Sequence, residues 1–359
     1  MNPKLKHILL TAARWVLGSV FVASGVFKSV DPVGTSVFVE KYLVTYGLDV
    51  LLPAALAMAI VLAVVEMALG MLLIADVLRR QVALVTSCFL AVFTIITLLS
   101  ATVLPIDDCG CFGDAIKLTP WQTFFKNVVL LPVAVAVWWY SERRVSSRRM
   151  VAIVSALAVI IPLAVNLYSL RYLPIVDFLP YKEGVNLREE ITQERERAAA
   201  SVKSILIFNN TVTGEVVEYQ SDATECWLNP DLEYLDARTV TTTSETGDFA
   251  DFATFDSEGV DHTLELLNLK GRVAWLCIND ASALEGRRRE GVDALFEAYP
   301  SDAIIVVTSS DADRVAQTLN HRAYTIDAMT LRSFIRAKVG VVVLNDGVIE
   351  AKLDIRDIR

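Results

Sequence analysis

The residues of this sequence best placed for chemistry are two cysteines separated by one glycine, in the run Ile106-Asp107-Asp108-Cys109-Gly110-Cys111-Phe112-Gly113-Asp114. In an oxidising compartment such a pair closes on itself only if the chain bends sharply, because bridged Cα atoms lie within about 6.8 Å of each other. Gly110 permits that bend. The ring formed is small and strained, so its disulfide is reducible and exchangeable. The alternatives are an inert bridge that shapes the loop or two thiols without a role. A labile bond makes a poor staple, which favours redox work at Cys109 and Cys111. Metal binding is not expected: no His lies nearby, and two thiolates leave a tetrahedral zinc site half filled.

Thr119-Pro120-Trp121 follows as an N-cap, a first-turn proline and the start of a helix. The positive end of that helix, with Lys117 and Lys126 nearby, favours a thiolate. Asp107, Asp108 and Asp114 pull the other way.

The elements that must position this loop are apolar. Of 359 residues, 54% are hydrophobic, too many for a purely soluble globule. The excess is gathered in five runs near 8–27, 51–75, 82–104, 121–140 and 150–170. Each is roughly 20 residues long, enough to cross about 30 Å of hydrocarbon as a helix. Residues 1–145 form a bundle of four spans, residues 150–170 a fifth, residues 171–235 a linker and β-hairpin region, and residues 236–359 an outer domain.

Short-loop charge sets the orientation, since cytoplasmic loops retain Lys and Arg. With the N-terminus inside, the inner segments hold Lys4, Lys6, Arg79, Arg80, Arg143, Arg144, Arg148 and Arg149, and the outer loops only Lys28, Lys41 and Lys117. The cysteine loop and everything after residue 170 are thus expected in the periplasm, beyond a bacterial inner membrane. Arg14 and Trp15 interrupt the first run and no A-x-A site follows, so it reads as a span and not as a cleaved signal. Up to Leu170 there are 13 Lys+Arg against 9 Asp+Glu, and after it 20 against 33. Phosphates would be repelled by that acidic half, which excludes nucleic acid as a partner. Membrane lipid is the expected surrounding.

Glu66 falls deep within the second span, where a lone carboxylate is costly. It needs a partner or a proton. Arg14 is the preferred partner and Lys28 the alternative; an interhelical clamp is favoured over a proton or quinone site. Gly18, Gly25 and Gly70 are expected at close helix contacts. Cys88 reads as a buried, inert residue of the third span.

After the fifth span come a charged helix to about Ala200, a hairpin from Ser204–Asn209 and Val216–Tyr219, and then an alternation of strands and helices ending in a hairpin around Asn345-Asp346-Gly347. That order, with Leu269-Lys270-Gly271-Arg272-Val273 entering the first core strand, resembles the thioredoxin-like fold. Where such folds carry Cys-x-x-Cys, this chain reads Asn279-Asp280-Ala281-Ser282, so the domain should not exchange disulfides itself. Cys277 is expected in a core strand. Cys226, beside Trp227, is expected to be more exposed. His262 and His321 stand singly in polar segments.

Arg14, Gly18, Ser24-Gly25, Lys28, Asp31-Pro32, Glu66, Gly70 and the cysteine loop through Trp121 together resemble the DoxX-like membrane proteins, in particular the methylamine-utilisation MauE type. The resemblance covers roughly residues 8–140. It implies a four-helix core comparable to the vitamin K epoxide reductase type, Cys109 and Cys111 as redox pair, a membrane quinone as electron acceptor, and a link to maturing a disulfide-rich protein. The reductase type uses a Cys-x-x-Cys plus a second pair, whereas here the bundle holds one Cys-x-Cys. The fold expected is therefore a membrane α-helical bundle, a four-helix core plus a fifth span, followed by a periplasmic α/β thioredoxin-like domain. The expected function is thiol–disulfide exchange with a periplasmic thiol protein or thioredoxin-like partner. The alternative is a non-enzymatic membrane anchor whose outer domain binds a partner.

Overall fold

The computed structural model describes residues 3–104, 106, 108–141, 147–220, 223–241 and 247–358. Asp107, Arg143 and Arg144 lie outside the described residues.

Among the described residues five helices are long and apolar enough to cross a membrane: α1 (Pro3–Val30), α3 (Ala55–Ile74, entered through a 3₁₀ turn at Asp49–Ala54), α4 (Arg79–Thr102), α5 (Pro120–Tyr140) and α6 (Arg148–Arg171). Their outward faces carry Leu9, Val61, Ile95, Val129 and Ile160 in the open, a surface suited to lipid. Inside the bundle Leu17, Phe21, Leu73, Leu90 and Ala134 interlock. The antiparallel pair α1 and α3 approaches closely because its contacts are glycines. A Cβ on Gly18 would lie 2.9 Å from Gly70 O, and one on Gly25 would lie 2.6 Å from Met67 N and 2.8 Å from Ala63 O; small residues of this kind let backbones meet.

Between α1 and α3 stands α2 (Pro32–Thr45), a helix too short to span. Asp31 caps it by accepting from Gly34 N at 2.8 Å, and Pro32 starts its first turn. The cysteine loop joins α4 to α5 and contains the short strand β1 (Cys111–Asp114).

The C-terminal part begins with α7 (Leu187–Ser201), followed by β2 (Val202–Asn210), β3 (Val216–Gln220), a single turn α8 (Glu225–Leu228) and β4 (Leu232–Thr241). The expected hairpin of β2 and β3 is present, and β4 pairs with the other edge of β2 to make a three-stranded antiparallel sheet.

A second sheet forms the main domain. Its strands are β5 (Thr254–Phe255), β6 (Arg272–Ile278), β7 (Ile304–Thr308), β8 (Ala323–Ile326), β9 (Val339–Asn345) and β10 (Val348–Asp354), in the order β10-β9-β6-β7-β8-β5. The strands β6, β7 and β8 are parallel and the others antiparallel to their neighbours. Its helices are α9 (Thr263–Leu267), α10 (Arg287–Ala298), α11 (Ala312–Leu319) and α12 (Ala328–Phe334). Side chains alternate across a strand, so Trp275 and Cys277 face one core with Phe252 and Phe334, while Ala274, Leu276 and Ile278 face another with Val292 and Leu295. Burial on both faces explains why β6 reads as an unbroken apolar run.

Candidate functional site

The cysteine loop is built by short-range bonds. Asp108 Oδ1 accepts from Gly110 N at 3.1 Å, Gly113 N donates to Gly110 O at 3.1 Å, and Cys109 N donates to Leu118 O at 3.1 Å. Thr119 and Gln122 complete a capping box at the start of α5, which fixes where the loop ends. Gly110 has φ +64°, and a Cβ there would lie 2.5 Å from Phe38 Cγ of α2. Both the left-handed backbone and the close ring require glycine.

This turn brings the Sγ atoms of Cys109 and Cys111 to 2.8 Å. A disulfide has its sulfurs about 2.05 Å apart, so a displacement of under 1 Å would bond them. Cys109 is buried and Cys111 half-buried. The hydrogen bond from Cys111 brings the Cys109 thiol down to about 6 against the opposing cost of burial, with help from Thr123, Tyr42 and Lys126. The same hydrogen bond, together with burial, pushes Cys111 well up. The two shifts run in opposite directions, so Cys109 is the thiol of the pair that gives up its proton more readily.

The carbonyl of Cys111 is gripped from α1. Ser24 Oγ lies 2.6 Å from it, and Lys28 Nζ donates to it as well. Lys28 Nζ also lies 2.8 Å from Glu66 Oε2 of α3 and 2.8 Å from Ser24 Oγ. The expectation that Glu66 pairs with Arg14 is therefore corrected. Arg14 pairs with Asp76 beyond the far end of α3, where Arg79 joins it. The antiparallel register explains this: with Gly18 beside Gly70 and Gly25 beside Met67, Arg14 falls next to Asp76 and Lys28 next to Glu66.

Lys126 of α5 lies 4.7 Å from the Phe112 ring centre, a cation–π distance. With Ser24, Glu66 and Asn127 it supplies the polar residues of a small, largely apolar cleft beside Cys111. A cavity of about 530 Å³ lies between α2, α3 and α4, within the size range of small-molecule pockets. Cys109, Gly110 and Cys111 form part of its wall, together with Phe38, Tyr42 and Phe93. Burial first, and then Cys109, push the Tyr42 phenol up, so Tyr42 is a neutral hydroxyl. Sequence reasoning missed α2 as an element, and with it Phe38 and Tyr42; the signal was Asp31-Pro32, an N-cap and first-turn proline.

The remaining thiols are apart from this site. Cys277 is fully buried in β6, and burial pushes its thiol far up. Cys226, expected to be exposed, is buried in α8 with its Sγ 2.9 Å from Ala223 O. Cys88, expected to be buried, lies on the outward face of α4; a uniformly apolar run does not show which side of a helix turns inward. His262 is not solitary either: it lies 2.6 Å from Glu265 and 2.9 Å from Asp256. Among the described residues no group of three or more His, Cys, Asp or Glu is arranged to hold a metal ion.

These features define a multi-pass membrane protein that carries a thiol pair in the loop between its third and fourth long helices. Residues 6–140, which hold the first four of these helices and the cysteine loop, match the family model described as Methylamine utilisation protein MauE. No curated protein and no solved structure matches the chain.

Proposed function

We propose that this protein is a membrane thiol–disulfide oxidoreductase that works through Cys109 and Cys111. The observation that carries the proposal is the 2.8 Å separation of the two sulfurs in the wall of a large apolar cavity. In the oxidised form, a thiolate of a periplasmic dithiol protein attacks one sulfur of the Cys109–Cys111 disulfide. The second substrate thiolate then displaces the mixed disulfide, and the pair is left as two thiols. What supports a quinone ring there is the lining: the cavity is mainly apolar, has the aromatic residues Phe38, Tyr42 and Phe93 in its wall, and is bounded by both Cys109 and Cys111. A quinone bound there would take two electrons and two protons from the dithiol, restoring the disulfide and leaving as quinol. Lys28 and Ser24 hold the Cys111 carbonyl, which keeps Cys111 against Cys109 while the bond forms.

On this proposal the cysteine loop and the C-terminal domain lie in the periplasm. The C-terminal domain is read as thioredoxin-like, supported by the parallel β6 and β7 followed by the β9–β10 hairpin beside β6. Neither of its cysteines is accessible, so it serves docking and not exchange. That same lack of an accessible thiol favours the alternative, a non-enzymatic anchor that binds a partner.

The deciding test is thiol trapping of Cys109 and Cys111 in intact cells, with the quinone pool oxidised and then reduced. The oxidoreductase should show a disulfide that accumulates with oxidised quinone and thiols that accumulate with quinol. A pair locked in one state under both conditions would overturn it.

A further inference from the structure

Arg336 belongs to the C-terminal domain, yet its side chain is 4% exposed and ends inside the bundle's loops. Its Nε donates to Asp31 Oδ2 at 2.9 Å, its Nη2 to Asp114 Oδ2 at 2.7 Å, and its Nη1 to Arg332 O at 2.8 Å. All three nitrogens are thereby engaged in a planar fork that lysine cannot reproduce.

The backbone that presents Arg336 is fixed from β6. Asn279 Nδ2 donates to Ile335 O at 3.2 Å and to Ala337 O at 2.8 Å, and Asn279 N donates to Lys338 O at 2.9 Å. Arg332 adds a second tie, 2.7 Å from Glu40 of α2.

The bundle is shaped to receive this fork. A Cβ on Gly34 would lie 2.7 Å or less from Asp31 Oδ2, Asp114 Oδ2 and Arg336 Nη2 at once. Glycine at position 34 is thus the space in which the cluster meets.

Asp114 ends β1, and Cys111 begins it. The strand is held at Cys111 by Lys28 and Ser24 from within the bundle, and at Asp114 by Arg336 from the other domain. We infer that Arg336 is a positioning residue for the thiol pair: by holding Asp114 against Asp31 it fixes β1 so that Cys111 stays on Cys109, and the C-terminal domain thereby sets the reduction potential of the pair. This rests on the redox role proposed above. Losing the fork frees β1, lowers the effective concentration of one thiol at the other and disfavours the disulfide.

The test uses the full chain in lipid nanodiscs, equilibrated across glutathione redox buffers, with the state of Cys109 and Cys111 read by thiol trapping. Arg336→Ala is expected to lower the equilibrium constant for pair oxidation at least tenfold, a midpoint shift of about 30 mV to more positive potential. Arg336→Lys, which keeps charge and loses the fork, should fall between, and it carries the test where the alanine variant does not accumulate. Gly34→Ala, which alters no charge, should shift the midpoint in the same direction. Arg238→Ala, which breaks the exposed contact with Glu218, should leave it in place. Folded Arg336 and Gly34 variants with equilibrium constants for pair oxidation within twofold of wild type overturn the inference and leave the redox role standing. A wild-type pair that never changes state across the buffers overturns both.

Discussion

Lys28 Nζ lies 2.8 Å from Glu66 Oε2, and the same ammonium group donates to the carbonyl of Cys111. Their side chains are 3% and 5% exposed. A buried carboxylate or ammonium alone is costly within a membrane protein, and pairing answers that cost. The pair therefore does two things: it joins α1 to α3, and it ties that junction to the loop that carries the thiols.

Removing one partner leaves the other charge buried. Lys28→Met is expected to destabilise the bundle by about 3–5 kcal/mol, and Glu66→Met similarly. The double variant Lys28→Met with Glu66→Met should recover a large part of the loss, because no uncompensated charge remains. Unfolding in nanodiscs or mixed micelles measures this, and strictly additive losses would contradict the pairing. Pair oxidation should stay impaired even in the double variant, since the Cys111 carbonyl loses its Lys28 donor.

Alkylation separates the two thiols. With Cys109 brought down to about 6 and Cys111 pushed up, iodoacetamide should label Cys109 first in the reduced protein, its rate rising through about pH 6. In Cys111→Ala the hydrogen-bond donor that is the main cause of the shift is gone, so the rise should move to higher pH. Labelling of Cys111 before Cys109 at neutral pH would refute the assignment. Cys277 should stay unlabelled until the domain unfolds.

Much of this was legible in the residues. The apolar runs located the five long helices of the described residues, and the Cys109-Gly110-Cys111 spacing marked the pair whose sulfurs the fold brings to 2.8 Å. The partner of Glu66 was not legible, because depth along a span does not give the register between two antiparallel helices. That register is set by Gly18, Gly25 and Gly70, and it sends Arg14 to Asp76. Arg336 was invisible for a different reason: it is 305 positions from Asp31, and no local pattern marks a residue that one domain lends to another. Cys226 was misjudged because β4, which closes the small sheet, was not expected. Along β4 the apolar residues Leu232, Tyr234, Leu235 and Ala237 fall on both alternations among charged ones, so there is little period-two signal to announce it.

Gly110 offers a strict geometric test. Its φ of +64° and the Phe38 ring 2.5 Å from a would-be Cβ both oppose any side chain. Gly110→Ala should shift the loop and prevent the disulfide, reducing pair oxidation at least tenfold, with only a modest change in bundle stability. Trapping after diamide treatment reads this directly. Phe38→Ala in the same chain should restore part of the closure by removing the steric conflict, although the backbone strain at position 110 remains.

Asp114 gives the cluster a dependence on pH. Burial outweighs the attraction of Arg336, and Asp31 and Asp108 add repulsion while Lys117 opposes it, so the carboxyl is pushed up to about 6 from its ordinary value of 3.8. Arg336 does not overcome this because it is shared with Asp31. The folded state then holds a proton that the unfolded state has released between about pH 3.8 and pH 6. The Asp114 contribution to stability falls as pH rises through that window and is level above it. The size is on the order of 3 kcal/mol. Asp114→Asn should flatten this part of the curve, measured as the midpoint of unfolding between pH 4 and pH 7 at constant ionic strength. An unchanged slope in the variant would show that another group titrates there.

The cavity provides the test of the electron acceptor. Leu62 lines it from α3 and not from the cysteine loop, so Leu62→Trp should fill part of its volume while leaving the loop sequence intact. Overpacking of this kind costs about 1–3 kcal/mol, which a stable bundle tolerates. The variant is expected to lose at least tenfold in the rate at which added quinone oxidises the reduced pair. Oxidation by diamide, which reaches the thiols without the cavity, should remain within twofold of wild type. Equal losses with both oxidants would mean that the substitution disturbs the thiols themselves. An unimpaired quinone rate would point to an acceptor elsewhere, at the small cleft beside Cys111 that Glu66, Lys126 and Asn127 help to line.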